Sequence, residues 1–68
     1  MNMEFKERVK ELRESRELSQ MQLAIKLGVS QSAVAKWELG KTEPTASAII
    51  AVAKLFNETT DFVLGLED

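Results

Sequence analysis

The chain has 68 residues, 44% of them hydrophobic, with nine basic and eleven acidic side chains and a formal net charge of −2. A chain of this length is expected to fold as one small domain, residues 1–68, that buries only about 60% of its unfolded surface, so a large enclosed active site is not expected. It contains neither cysteine nor histidine, which removes disulfides, thiol and imidazole catalysis and Cys/His zinc sites, so a binding role without cofactor, metal or small-molecule ligand is expected rather than an enzyme.

Five helices are expected, over roughly 4–16, 20–27, 31–39, 46–56 and 60–65, and no alternation of apolar and polar residues argues for a strand. The opening MNMEFKERVK lacks the apolar core of a secretory signal, and no apolar run approaches the roughly 18–20 residues of a membrane span. The expectation is a cytoplasmic, all-α protein without membrane contact. In the first helix Phe5, Val9 and Leu12 share one face, and the charges of residues 1–17 balance, Lys6, Arg8, Lys10, Arg13 and Arg16 standing against Glu4, Glu7, Glu11, Glu14 and Glu17.

The second helix starts at Ser19, which with Gln22 fits a capping box, and stops at Gly28, where a left-handed turn suits glycine. Leu23, Ala24 and Leu27 form its inner face. Ser30 and Gly40 bracket the third helix. The segment 18–41 is mildly basic, with Lys26, Lys36 and Lys41 against Glu38, whereas 42–68 is acidic, with Lys54 against Glu43, Glu58, Asp61, Glu67 and Asp68. Thr45, after the only proline, opens the apolar fourth helix ASAIIAVAKLF, whose Ile49, Val52, Ala53 and Phe56 are expected inside and which reads as the central strut. Thr59 precedes the short final segment TDFVLG.

The third helix is the informative one. At about 100° per residue, Val34 and Trp37 point one way with Ala33 beside them, while Gln31, Ser32, Ala35 and Lys36 point the other. The only tryptophan therefore anchors the helix and leaves outward a row that, apart from Lys36, carries only Gln, Ser and Ala, in place of the long Glu/Lys pairs usual on a surface helix. Short side chains let a helix axis approach a surface closely. The major groove of B-DNA admits one α-helix, and Gln, Ser and Lys can meet base edges there while an alanine methyl can touch thymine.

SQMQLAIKLGVSQSAVAKWELGKTEPT resembles the helix-turn-helix of the phage-repressor and Cro (XRE) family through Ser19, Gln20, Leu23, Ala24, Gly28, Val29, Ser30, Val34, Trp37, Glu38, Gly40, Lys41 and Pro44. The resemblance spans nearly the whole chain and implies a compact five-helix, lambda-repressor-like bundle with the motif over about 19–38. It implies that Gln31, Ser32 and Lys36 read bases in the major groove, with helix support open for Ser32 and a phosphate contact open for Lys36. It also implies that Arg13, Ser19, Gln20, Gly40, Lys41 and Thr42 meet the sugar-phosphate backbone, and that Arg13 pairs with Glu38.

Further implications are double-stranded DNA with a palindromic operator as partner and a homodimer that presents two recognition helices about 34–36 Å apart. Phe62, Leu64 and Leu66 are the candidate dimer surface, with burial of Phe62 and Val63 under the fourth helix as the alternative, and Ile25 a second, weaker candidate. The sequence departs from the family in its acidic last third and at Glu43, which weakens a phosphate grip. The expected function is a small dimeric transcriptional regulator that represses; a protein-interaction module of the same fold, or a restriction-modification controller or antitoxin, are the alternatives.

Overall fold

The computed structural model describes residues 4–67. Five helices follow in order: α1 (Phe5–Ser15), α2 (Gln20–Leu27), α3 (Gln31–Leu39), α4 (Ala46–Phe56) and α5 (Thr60–Val63), with no strand among the described residues. The expected boundaries hold for α2, α3 and α4. The first helix is a residue shorter at each end, and α5 stops at Val63 because Leu64 and Gly65 enter a turn in which Gly65 takes φ +79°.

Local chemistry starts each helix. Ser19 Oγ accepts the Gln22 amide at 3.0 Å while Gln22 Oε1 accepts the Ser19 amide at 2.8 Å, a reciprocal capping box. The side chains of Ser30, Thr45 and Thr59 accept the amides of Ala33, Ala48 and Phe62 in the same way. Helix ends divide into two kinds. Gly28 and Gly40 close α2 and α3, both at φ +73°. Glu17, just past α1, and Asn57, after α4, take the same left-handed conformation at φ +56° without being glycine.

The core comprises Val9, Leu12, Leu23, Ala24, Val34, Trp37, Val52, Ala53, Phe56 and Val63. Trp37 is 6% exposed, and its ring meets Phe5 edge-on with centroids 5.8 Å apart, a favourable arrangement of ring quadrupoles. Ala24 is 1% exposed, consistent with α2 and α3 crossing closely over a missing side chain. The fourth helix is less central than its composition suggests. It packs on α2 and α5, whereas α3 packs on α1 and α2. Leu27 and Ile49 are consequently half-buried at the edge of the core.

Arg8, one of the balanced charges of the first helix, is nevertheless buried. It is 6% exposed, with its guanidinium 3.8 Å from the centre of the Phe62 ring. Nη1 donates to Glu11 Oε1 at 3.1 Å and Nη2 to the Glu67 carbonyl at 3.2 Å. A planar, weakly hydrated guanidinium is suited to this position, stacking on an aromatic face while its edge donates. The Thr59 hydroxyl also bonds the Glu67 carboxylate, so the chain after α5 is fastened to α1 by Arg8 and to the start of α5 by Thr59.

Candidate nucleic-acid interface

Gly28 turns the chain so that α2 and α3 pack together, and it does so by conformation alone, since a Cβ built there would meet nothing within 4 Å. Glutamine occupies the first position of both helices, Gln20 in α2 and Gln31 in α3. The turn brings the two amides into contact, Gln31 Nε2 donating to Gln20 Oε1 at 2.8 Å. Gln20 Nε2 donates in turn to Glu38 Oε1 at 3.1 Å. Glu38 is held from the other side by Arg13, whose Nε reaches Oε2 at 2.7 Å and whose Nη2 reaches Oε1 at 2.9 Å. The Arg13 Nη1 donates to the Leu18 carbonyl at 2.8 Å, fixing the chain between α1 and α2.

The expected Arg13–Glu38 pair is therefore bidentate, and its side chains are only 12% and 5% exposed. Burial by itself would push the Glu38 carboxyl up. The bonds from Arg13 and Gln20, with the charges of Arg13 and Lys10, outweigh that and hold Glu38 below the ordinary carboxylate range. On Arg13 the bond to Glu38 outweighs desolvation and raises its pKa further. An ion pair with this geometry orients α3 against α1 far more firmly than an exposed pair would.

The base-reading candidates do not stand equally free. Ser32 and Lys36 are exposed, whereas Gln31 and Ala35 are half-buried. Gln31 is aimed by Gln20, yet its Oε1 and one N–H have no partner among the described residues. That remaining acceptor and donor are the set a bidentate adenine contact uses. Gln20 likewise keeps one N–H, and Ser19 keeps its hydroxyl hydrogen for donation while its Oγ caps α2.

Past α3, the expectation of a backbone grip narrows. The Gly40 amide donates to the Trp37 carbonyl at 3.0 Å and the Lys41 amide to the Lys36 carbonyl at 2.9 Å. Both close α3 and are not available to a phosphate. The exposed Lys41 ammonium and the exposed Thr42 are what this loop presents. The candidate dimer residues also separate. Phe62 is half-buried under Arg8, Val63 is fully buried, and Leu64 is half-buried beside Phe5, Trp37 and Ile49. Leu66 is 68% exposed and Ile25 71%.

Sequence reasoning found the Arg13–Glu38 pair but not the glutamine bridge that continues it. The available signal was the shared position of the two glutamines, each opening one of two helices joined by a glycine turn.

The helix-turn-helix family profile matches residues 9–63. The chain belongs to the helix-turn-helix family. Within it, the domain is 41% identical over 97% of its length to the HTH-type transcriptional activator BcrR of Enterococcus faecalis, covering 32% of that protein. It spans about a third to a little over half the length of the curated relatives it matches. Its fold superposes on the P22 c2 repressor protein in complex with synthetic operator 9T with a TM-score of 0.87 at 28% identity, covering 96% of this chain and 98% of that one. It is also similar to the restriction-modification controller protein C.AhdI from Aeromonas hydrophila, with a TM-score of 0.79 at 29% identity over 87% of this chain and 89% of that one. No helix among the described residues is long and apolar enough to cross a membrane.

Proposed function

We propose that this helix-turn-helix domain binds double-stranded DNA sequence-specifically as a transcriptional regulator. The observation that carries the reading is the outward face of α3. It is short-chained, anchored from behind by Trp37, and led by a Gln31 that the Arg13–Glu38–Gln20 chain of bonds holds in place. Preorganisation of this kind lowers the entropy lost on binding.

Gln31 reads one base, adenine being the best match to its free acceptor and donor, with Ser32 and Lys36 contacting neighbouring positions. Gln20, Ser19, Lys41 and Thr42 hold the phosphates that set the register, and Gly40 acts by shaping the turn that presents Lys41. Arg13 serves mainly by fixing Glu38, with two N–H groups left to face a phosphate.

The regulator acts as a homodimer on a palindromic operator, through a surface that includes Leu66 and the exposed edges of Phe62 and Leu64. Repression by occlusion of the bound site is the outcome we favour. Similarity to a repressor solved with its operator supports it, and the relative named an activator makes the sign of regulation the finer point.

The deciding experiment is electrophoretic retardation of a random duplex pool at low salt, followed by selection of the bound fraction. Enrichment of a two-fold symmetric site, with affinity falling steeply as salt rises, is expected. Retention indifferent to salt and sequence would overturn the reading in favour of a protein-interaction module. A reporter placed behind the selected site then separates repression from activation.

A further inference from the structure

The first helix carries four basic and three acidic residues, and its helical phase sorts them. At about 100° per residue, Lys6, Lys10 and Arg13 fall within an arc of roughly 60°, while Glu7, Glu11 and Glu14 occupy a second arc of similar width about 100° away. The remaining cation of the helix, Arg8, is buried against Phe62. Arg13 is locked to Glu38 of α3, so the basic arc is the one that lies along the recognition helix.

Lys10 follows one turn back from Arg13, near enough for its charge to act on the Glu38 carboxyl. Its side chain is exposed and makes no ion pair among the described residues. Lys6 lies one turn further and crosses the end of α3. Its Cδ and Nζ stand 3.1 and 3.7 Å from where a Cβ on Gly40 would sit. Lys6 meets Glu4 at 3.8 Å, with the two side chains 45% and 75% exposed, a contact that contributes little.

Attraction to the negative C-terminal end of α3 accounts for Lys6 alone. It does not account for Lys10. Lys6 also shares a groove with Glu43, the residue that weakens a phosphate grip in the adjoining loop. Lys6 is the cation of that groove, which Glu4 also lines.

We propose that Lys6 and Lys10 form a second phosphate-contacting ridge, by which the first helix holds the sugar-phosphate backbone of duplex DNA alongside the helix-turn-helix and its loop. The proposal rests on the DNA-binding reading above. Ammonium groups are compact point charges, so the ridge adds affinity and orientation without reading sequence.

The test is the salt dependence of binding to the selected duplex. Each phosphate neutralised releases close to one counterion, so Lys6→Gln with Lys10→Gln is expected to make the log–log salt slope shallower by about two, with the base preference unchanged. Lys6→Arg with Lys10→Arg is expected to retain the wild-type slope. Lys26→Gln with Lys54→Gln removes the same net charge elsewhere and is expected to leave the slope alone. A drop smaller than about one unit in the double glutamine variant overturns the ridge, as does an equal drop in the Lys26/Lys54 control. If Lys41→Ala still lowers the slope in either of those cases, the DNA-binding reading stands without the ridge. Wild-type binding that ignores salt removes both.

Discussion

The inward and outward sides of α3 differ in how much freedom their side chains keep. Inward, Val34 and Trp37 are fixed by packing, and Glu38 is fixed by three hydrogen bonds. Outward, Ser32, Lys36 and the half-free Gln31 retain unpaired polar groups. One helix of nine residues thus divides stability from recognition along its length. Gln31 is the point of contact between the two, since a bond from its amide leads through Gln20 to Glu38 and Arg13.

That division is testable, and the largest effect belongs to the inward side. Trp37→Ala should lose about 3–5 kcal/mol, as an emptied core site does, and leave the domain close to unfolded at room temperature. Thermal unfolding followed by circular dichroism measures it; a melting curve near that of the wild type would show that the indole does not anchor α3.

Glu38→Gln should cost about 2–3 kcal/mol at neutral pH, because it breaks a desolvated bidentate pair and strands Arg13. The wild-type contribution has a defined sign with pH. Folding lowers the Glu38 pKa, so the pair stabilises fully above the unfolded carboxylate value, about 4.3, and the stabilisation is lost as pH falls through the lower folded value. Denaturant unfolding across that range should find wild-type stability falling more steeply than that of Glu38→Gln. Parallel curves would mean that the pair contributes nothing to the acid response.

On the outward side, Gln31→Ala should cost about 1–3 kcal/mol of binding at one base position, with unfolding changed by no more than about 0.5 kcal/mol. Affinities for a set of single-base operator variants measure the first and thermal melting the second. Uniform weakening across all variants would reassign Gln31 to the backbone. The smallest effect is expected from Lys41→Ala, which should weaken all duplexes alike and lower the salt slope by about one unit. An unchanged slope would take the loop out of the interface.

Much of this layout is legible in the residues themselves. Ser19, Ser30, Thr45 and Thr59 announce helix starts because each side chain satisfies an amide only three residues away, a local interaction that needs no knowledge of the fold. Trp37 and Val34 identify the buried side of α3 by spacing alone. The Arg13–Glu38 pair came instead from likeness to a family, since 25 residues separate its members.

What stayed hidden depends on how distant segments meet. The burial of Arg8 follows from the return of residues 62–67 to α1, which no periodicity encodes. The Gln20–Gln31 bond exists only once the Gly28 turn has brought two helix starts together. The Gly40 and Lys41 amides, expected near a phosphate, are committed to closing α3, a distinction visible only when hydrogen bonds are assigned one by one.

The left-handed turns at Glu17 and Asn57 leave room for improvement in a protein engineer's hands. Side chains bearing a Cβ are held there in a conformation that glycine adopts without penalty. Both positions are exposed and lie outside the proposed DNA contacts. The domain therefore carries untapped thermal tolerance chiefly at Glu17, since asparagine enters this conformation readily, and that site can be altered without touching the surface proposed for recognition.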